Sequence, residues 1–309
     1  MRTKWFIACL LLSSSIAVAE PAHKKTSYSK TGKAKAVKVT RTVKPVKMHA
    51  AAEDGNLHLG SAVAMIVDQK SGETLFSRNA ANQAPIASIT KLMTAMVVLD
   101  AGLSMDEAIT ISEADVDSLR NSGSRLRVGT TLTRQETLHL ALMSSENRAA
   151  AALARTYPGG TAQFVAAMNR KAVELGMRQT HFVDSTGLHS ENVSTAEDLV
   201  KMVRAGYHYD QIRQMSTSEN YDVVNDNGHR IPYKNTNALV KSPAWDIGLS
   251  KTGFINEAGR CLVMQAQIAS RPVIIVLLDS AGKFTRIADA NRIKKWLESS
   301  RPILAAHLG

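Results

Sequence analysis

This chain must build a core around one apolar helix, and that helix begins with a serine and a lysine. Ser88 and Lys91 come immediately before the apolar residues 92–99. At this spacing the two side chains lie on one helix face, so the amine can sit beside the hydroxyl. Burial lowers the pKa of a lysine toward neutrality and allows the amine to take the serine proton. The segment therefore predicts a buried helix that carries an activated serine.

A second polar cluster separates two apolar helices. Thr133 and Glu136 match a capping box before one apolar run, and another run begins at Arg148. Ser145 and Asn147 lie between these runs, in a loop that the core positions firmly. A serine that relays protons and an amide that orients substrate are useful in such a loop.

A third cluster ends an apolar strand predicted over residues 247–253. Lys251, Thr252 and Gly253 present a cation, a hydroxyl and a residue without a side chain. Such a strand lets a substrate backbone lie against it, with a positive charge to meet a carboxylate. The cluster predicts a binding site for the carboxylate end of a peptide.

Each of these short patterns also occurs elsewhere in the chain. Ser-x-x-Lys recurs at residues 27–30 and 280–283, Ser-Glu-Asn at 190–192 and 218–220, and Lys-Thr-Gly at 30–32. An exposed serine, a turn or a helix cap is the ordinary explanation for any one copy. The copies at 88–91, 145–147 and 251–253 are preferred because each lies in the element that its chemistry requires.

Periodicity and turn residues predict the remaining elements. Residues 59–67 and 73–77 form one predicted hairpin, and residues 260–269 and 272–279 form another. Helices are predicted over residues 161–179, from Ser194 to Gly206 and over 283–297, with a short helix at 112–119 and an extended piece at 124–129. Residues 207–246 give no clear prediction.

The first 55 residues are predicted to lie outside the folded domain. Residues 1–19 have a basic start, a short apolar centre and an Ala-x-Ala end, which are typical of a secretory signal peptide; the alternative is an uncleaved membrane anchor. Residues 20–49 carry nine Lys and Arg against one acidic residue, and so hold most of the net charge of +11. We expect residues 20–55 to be a disordered basic tether.

The tether has two interpretations. An exported protein meets little nucleic acid, so an anionic envelope polymer or a membrane surface is the expected partner, and a solubilising linker with no partner is the alternative.

Once the signal peptide with Cys9 is removed, Cys261 is the remaining cysteine, so we expect a small core residue rather than a disulfide.

Taken in order, the three motifs resemble those of the serine-active penicillin-recognising enzymes. The contexts Ala87-Ser-Ile-Thr-Lys-Leu-Met-Thr-Ala, Met143-Ser-Ser-Glu-Asn-Arg-Ala-Ala, Asp184-Ser-Thr-Gly-Leu and Leu249-Ser-Lys-Thr-Gly-Phe are similar to the low-molecular-mass D-alanyl-D-alanine peptidases. Their endopeptidase branch, the penicillin-binding protein 7 type, is the most similar. The resemblance covers about residues 56–300.

The resemblance implies an α+β fold in three layers, β-lactamase/transpeptidase-like. An antiparallel sheet of about five strands would be flanked by helices and joined to a mostly helical lobe. Residues 56–85 and 245–300 would form the sheet lobe, and residues 86–244 the helical lobe, of a catalytic domain over residues 56–309.

The resemblance also implies a role for each motif. Ser88 would attack the carbonyl of a D-Ala residue, with Lys91 as the base. Ser145 and Asn147 would relay protons and orient substrate, and water would hydrolyse the acyl-enzyme.

The strand motif would bind the substrate. Lys251 and Thr252 would hold its carboxylate end beside Gly253. Backbone N–H groups of Ser88 and Phe254 would form the oxyanion hole. No cofactor or metal is expected, since the chain has no His-Glu-x-x-His motif.

Four functions remain open. The first is a periplasmic D,D-endopeptidase that cuts D-alanyl-diaminopimelate cross-links in peptidoglycan peptide stems and is acylated by β-lactams. A D,D-carboxypeptidase uses the same groups; that family often carries a C-terminal β-domain and an amphipathic anchor, which this sequence lacks. A β-lactamase would need a carboxylate for deacylation, with Asp184 as the candidate. A noncatalytic peptidoglycan-binding protein would not need Lys91 beside Ser88.

Overall fold

The computed structural model describes residues 57–224 and 228–299. The predicted signal peptide (residues 1–19), the predicted basic tether (residues 20–55) and the motif copies at 27–30 and 30–32 lie outside the described residues.

A five-stranded antiparallel sheet forms the centre of the fold, with the strand order β2-β1-β11-β10-β9. The strands are β1 Ser61–Asp68, β2 Thr74–Arg78, β3 Ala84–Pro85, β4 Ala108–Thr110, β5 Thr131–Thr133, β6 Val193–Ser194, β7 Asn220–Val224, β8 Arg230–Lys234, β9 Asp246–Ile255, β10 Gly259–Ile268 and β11 Arg271–Ser280. Three two-stranded pairs, β3-β6, β4-β5 and β7-β8, lie outside it. The predicted α+β fold and both predicted hairpins are confirmed.

Both faces of the sheet are buried, because side chains alternate between two apolar clusters. Val263, Ile274 and Val276 belong to the cluster that includes α5, while Leu262, Met264 and Ile275 belong to the cluster that includes α7. The interiors of β10 and β11 therefore show continuous burial rather than alternation. Strand β9 is an edge strand of this sheet, so one of its sides is free to meet other parts of the chain.

The described residues form seven helices: α1 Lys91–Asp100, α2 Arg134–Met143, α3 Asn147–Arg155, α4 Gly160–Glu174, α5 Ala196–Gly206, α6 Asp210–Thr217 and α7 Thr285–Ser299. Helix α1 is buried from Lys91 to Val98, as its apolar sequence predicts. The capping box at Thr133 is confirmed, since its hydroxyl accepts a hydrogen bond from the backbone N–H of Glu136. Of these helices, none is both long and apolar enough to cross a bilayer.

Two short predictions were wrong. The region at 112–119 holds only a 3₁₀ turn, Glu113–Asp115, and no strand forms over residues 124–129. Leu126 is fully buried there, but Arg148 Nη1 donates to its carbonyl and its N–H donates to Ser124 Oγ. These bonds from side chains replace the bonds that a partner strand would supply.

The unassigned region 207–246 contains α6, the β7-β8 hairpin and the 3₁₀ turn Ala238–Lys241. The copy of the first motif at 280–283 is not a helix start, because Ser280 is the buried last residue of β11 and its hydroxyl pairs with Ser61 Oγ at 2.7 Å. Cys261 is a buried free thiol in the core, as predicted.

Candidate active site

Ser88 lies in the 3₁₀ turn Ala87–Thr90, which runs directly into α1. The neighbouring Ala87 has a φ of +47°, a left-handed conformation that is rare for a residue with a side chain. Backbone strain of this kind persists only where the surrounding structure enforces it, and it occurs often at active sites. The turn leaves Ser88 partly exposed while both of its neighbours, Ala87 and Ile89, are fully buried.

Lys91 is completely buried beneath this serine, and its amine has three polar neighbours. Nζ donates to Ser88 Oγ at 2.9 Å, to Asn147 Oδ1 at 2.8 Å and to the Thr186 carbonyl at 2.6 Å. Burial lowers the pKa of Lys91 to about 8, against the opposing effect of the negative charges on Asp184 and Glu146. A substantial fraction of the amine is therefore neutral near physiological pH, and only the neutral amine can act as a base.

The rate of acylation is expected to follow this pKa. Because the base must be neutral, the second-order rate constant for reaction with a fluorescent penicillin should rise about tenfold per pH unit below pH 8 and level off above it. Lys201→Gln, at an exposed lysine on α5, should keep the same profile. A flat profile between pH 6 and pH 9 would contradict the assignment of Lys91 as the base.

A second buried lysine reaches the same site from β9. Lys251 Nζ donates to Ser145 Oγ at 2.8 Å and to the Thr252 carbonyl at 2.9 Å. Burial holds the pKa of Lys251 well below its usual range, and the charges of Lys91 and Arg286 lower it further. Ser145 has a φ of +61° in the bend between α2 and α3, so this serine also sits on a strained backbone.

The amide of Asn147 is fixed at both ends. Its oxygen accepts from Lys91, and its Nδ2 donates to Ser122 Oγ at 2.9 Å. Two hydrogen-bonded groups therefore meet at the site: Ser88, Lys91 and Asn147 form one, and Ser145 and Lys251 form the other. They lie close enough for the charge of Lys91 to act on Lys251.

Thr252 and Phe254 complete the edge of the site on β9. Thr252 Oγ1 donates to Thr236 Oγ1 at 2.7 Å. The Phe254 ring is half exposed, and the Arg260 guanidinium lies 4.4 Å from its centroid.

Gly253 has a packing role that the sequence did not predict. A side chain there would lie 2.9 Å from the Ile86 carbonyl oxygen and 3.1 Å from Ser88 N. The missing side chain therefore lets β9 approach the serine turn of this same chain, whereas the sequence suggested an approach by the substrate backbone.

Residues 184–189, which include Asp184, form a loop that contacts the site. Its Thr186 carbonyl receives a hydrogen bond from Lys91. Asp184 accepts from the N–H groups of Thr186, Gly187 and His189, at 3.1, 2.7 and 3.2 Å. The carboxylate therefore organises the loop, and its bonds leave it poorly suited to activate a deacylating water.

The second Ser-Glu-Asn copy leads into strand β6, as a turn or strand entry would, but its asparagine is buried. Asn192, in the second Ser-Glu-Asn copy, is fully buried and donates to Thr90 Oγ1 at 3.0 Å and to Asp184 Oδ1 at 2.8 Å. Its neighbours Glu191 and His189 are exposed, so the polar local sequence gave no sign that Asn192 is buried and holds the site together. Arg286 was also missed; its Nη1 donates to the Gly253 carbonyl at 3.3 Å.

Gly187→Ala is expected to damage the serine turn. Gly187 has a φ of +80°, and a Cβ there would lie 2.0 Å from the Ala87 carbonyl oxygen and 2.9 Å from Ser88 N. The backbone must shift, so we expect about 3–5 kcal/mol lower stability in chemical denaturation. Displacement of the nucleophile should slow penicillin acylation by at least about 10²-fold.

Gly102→Ala is the matched control. Gly102 has a φ of +62°, and a Cβ there would meet no group of the described residues within 4 Å beyond its own chain neighbours. This variant therefore carries only the conformational cost, about 1–2 kcal/mol. Equal losses of stability in both variants, with acylation unchanged, would show that Gly187 does not position Ser88.

Two cavities flank the loop that carries Ser145. The larger has a volume of about 410 Å³ and is lined by residues 123–125, residues 144–147 and Tyr233; we call it the Tyr233 cavity. The smaller, of about 180 Å³, lies on the other side of Asn147 and is lined by residues 114–119 and by parts of the 184–189 loop. Within residues 57–224 and 228–299, no three His, Cys, Asp or Glu side chains are grouped to hold a metal ion.

Comparison with known proteins gives consistent matches over this region. A family described as D-alanyl-D-alanine carboxypeptidase matches residues 47–282. The D-alanyl-D-alanine endopeptidase of Pseudomonas aeruginosa is 49% identical over 244 residues, which are 79% of each chain. The protein of the same name from Escherichia coli is 45% identical over 265 residues, 85% of this chain and 86% of the relative.

A solved structure matches the fold as well. The crystal structure of the Streptomyces K15 DD-transpeptidase superposes with a TM-score of 0.72 at 30% identity, and the match covers 77% of this chain and 97% of that one.

Proposed function

This chain belongs to the D-alanyl-D-alanine carboxypeptidase family of serine peptidases, and we propose that it is a D,D-endopeptidase that hydrolyses D-alanyl-diaminopimelate cross-links in peptidoglycan. Two relatives that share almost half of their aligned residues with it carry the name endopeptidase. They favour cross-link hydrolysis over removal of a terminal D-Ala by a carboxypeptidase.

The observation that carries this proposal is the contact of 2.9 Å between Lys91 Nζ and Ser88 Oγ. The contact lies in a site where burial lowers the pKa of the Lys91 amine to about 8. A protein that only binds peptidoglycan has no use for a buried amine beside a serine, because burying such a group is costly.

Acylation begins when neutral Lys91 takes the proton from Ser88 Oγ as this oxygen attacks the D-Ala carbonyl carbon. The carbonyl oxygen becomes an oxyanion, for which the backbone N–H groups of Ser88 and Phe254 are the proposed donors. Removing one such donor typically costs about 10²–10³ in rate. Asn147, held at both ends of its amide, orients the peptide on the acyl side.

Departure of the leaving stem needs a proton on its nitrogen. We assign this proton to the hydroxyl of Ser145. The proton that Lys91 took from Ser88 then passes to Ser145 and restores its hydroxyl. Lys251 donates to Ser145 and keeps its oxygen in place. The C–N bond breaks, the amine leaves, and the D-Ala carbonyl stays on Ser88 as an ester.

The leaving stem carries a carboxylate on the carbon next to the departing nitrogen. Thr252 and Lys251 are the groups proposed to hold it. Lys91 and Lys251 are both fully buried, and among the described residues no carboxylate hydrogen-bonds to either amine. Burial makes the protonated form of each amine unfavourable, so an anionic substrate group bound beside them would stabilise that positive charge.

Water then hydrolyses the ester and restores Ser88. Since the Asp184 carboxylate is engaged by the backbone of its own loop, we expect slow deacylation of a penicillin adduct. β-Lactams would accordingly act as covalent inhibitors, whereas a β-lactamase would turn them over.

The same proposal places the protein outside the cytoplasm, in the periplasm, where cross-linked stems are found. The basic tether predicted for residues 20–55 would then lie next to an anionic envelope polymer or the membrane surface.

The test uses the full-length mature protein with two purified muropeptides, a cross-linked tetrapeptide dimer and a monomeric pentapeptide. We expect conversion of the dimer to tetrapeptide monomers. Release of terminal D-Ala from the pentapeptide with the dimer left intact would make the protein a carboxypeptidase instead. A fluorescent penicillin added in parallel distinguishes three outcomes. A peptidase forms a long-lived adduct, a β-lactamase turns the drug over, and a noncatalytic binding protein does not react.

A further inference from the structure

The Tyr233 cavity borders the reacting centre through Ser145 and Asn147. Ser145 and Asn147 form one wall, and residues 123–125 and Tyr233 form the others. Ser145 is also the residue that Lys251 contacts at 2.8 Å, at the end of the site where Thr252 lies. On the proposed function Asn147 faces the acyl side and Ser145 faces the leaving stem, so we assign the Ser145 side of the cavity to the leaving side of the scissile bond.

Arg125 presents a guanidinium group beside this cavity in a fixed orientation. Its Cζ lies 4.3 Å from the centroid of the Tyr233 ring, and its Nη1 donates to the Pro232 carbonyl. No carboxylate pairs with Arg125 in the part of the chain that the structure describes. A guanidinium that is stacked, anchored by one N–H and otherwise free is well arranged to bind a carboxylate with two parallel hydrogen bonds.

Tyr233 supplies a second unmatched polar group. Its side chain is 1% exposed, and its hydroxyl is buried with no hydrogen-bond partner among the described residues. Burial and the charge of Glu146 raise the pKa of Tyr233 to about 12, so the phenol stays a donor. Buried polar groups are nearly always bonded, so this hydroxyl is an unused donor on the ring that Arg125 covers.

The positive charges around the cavity favour an anion. Arg125 and Arg148 both act electrostatically on Tyr233, against the single negative charge of Glu146. Arg148 also has a buried Nε with no hydrogen-bond partner in the described chain. Glu146 is already engaged, since Oε1 accepts from Ser124 Oγ at 2.7 Å.

From these observations we propose that the Tyr233 cavity is a subsite for the leaving peptide stem, in which Arg125 binds one of the carboxylates that the stem carries beyond the scissile bond. This inference rests on the proposed function. A carboxypeptidase releases a single D-Ala, which ends at the carboxylate beside Thr252 and cannot reach Arg125. A cross-linked stem continues past that point, so Arg125 selects cross-linked substrates over monomeric ones.

The test compares Arg125→Ala with Arg127→Ala, which removes an equal charge from an exposed position two residues along the same loop and outside the cavity lining. Three rates are measured: kcat/KM for the tetrapeptide dimer, kcat/KM for a small D-Ala-D-Ala peptide, and the rate constant for penicillin acylation. We expect Arg125→Ala to lower the dimer value about 10–100-fold, mainly through KM, because a bidentate pair with a carboxylate is lost. The other two rates should stay within about twofold of wild type, and Arg127→Ala should change none of the three.

A chemically modified substrate separates binding from a structural effect. Wild type and Arg125→Ala should cleave a dimer with amidated carboxylates on the leaving stem at equal rates. Tyr233→Phe should also lower kcat/KM for the unmodified dimer while leaving penicillin acylation unchanged.

Two outcomes would overturn the subsite, and they differ from failure of the proposed function. If wild type cuts the dimer and Arg125→Ala cuts it equally fast, the cavity does not bind the leaving stem. If Arg125→Ala slows penicillin acylation as much as dimer cleavage, the residue supports the fold of the site rather than substrate choice. Wild type that leaves the dimer intact would overturn the proposed function and this subsite together.

Discussion

Ser88→Ala is expected to abolish the covalent penicillin adduct and to lower kcat for the cross-linked dimer by roughly 10⁵–10⁶-fold, the scale seen when a serine nucleophile is removed. The substitution deletes the atom that forms the acyl bond. The Ser88 side chain is partly exposed, and its hydroxyl pairs with Lys91, so the fold should be kept. Intact-mass analysis after incubation with penicillin and product analysis by chromatography measure the two effects.

Ser190→Ala is a suitable control. Ser190 begins the second Ser-Glu-Asn copy, and its hydroxyl bonds only to the adjacent exposed Glu191 among the described residues. This variant should acylate and hydrolyse like wild type. A full mass increment on folded Ser88→Ala protein would place the nucleophile elsewhere.

Lys91→Met is expected to slow acylation by about 10²–10⁴-fold, the usual contribution of a general base. Methionine is unbranched and apolar, so it can occupy the buried space of the lysine side chain without its amine. Stopped-flow measurement with a fluorescent penicillin gives the rate constant. The variant should also lose the increase in rate that wild type shows as the pH approaches the Lys91 pKa of about 8.

Lys251→Met provides the comparison, because it removes the other buried amine of the site. Lys251 holds Ser145 and is proposed to attract the substrate carboxylate. Its loss should therefore weaken the binding of penicillin, while the acylation rate keeps its dependence on pH. If instead Lys251→Met alone abolishes that dependence and Lys91→Met acylates normally, the roles of the two lysines are reversed.

The parts of the site that were predictable carry local signals. Ser88 and Lys91 share a helix face, and the helix is apolar enough to bury the amine, so the spacing together with the apolar run after it predicts their contact. The capping box at Thr133 and the two large hairpins were predictable for the same reason, since turn residues and side-chain periodicity act over a few residues.

The missed parts depend on contacts between distant segments. The Thr186 carbonyl meets Lys91 across 95 residues, and the Asn192 amide meets Thr90 across 102. Nothing in the local sequence of either residue signals such a partner. Asn192 even has polar neighbours that indicate a surface turn, although it is fully buried.

The hairpin of β7 and β8 was missed for another reason. Each strand has one fully buried residue, Val223 in β7 and Tyr233 in β8, with the rest partly or fully exposed. Tyr221, Val223, Ile231 and Tyr233 do alternate with more exposed residues, but each strand has only five residues, and Pro232 within the second one argues against a strand. The Tyr233 cavity joins this hairpin to residues 123–125 and 144–147, and the sequence does not indicate such contacts between distant segments.

All of the chemistry described above requires that the turn at Ser88, the loop at Ser145 and the strand at Lys251 act on one ligand. A crystal structure of the protein after reaction with a penicillin examines this convergence in a single measurement. We predict an ester on Ser88 Oγ, with the drug carboxylate within hydrogen-bond distance, about 2.7–3.2 Å, of Thr252 Oγ1 or Lys251 Nζ. An adduct on any other residue, or a drug carboxylate that points away from β9 into solvent, would contradict the mechanism.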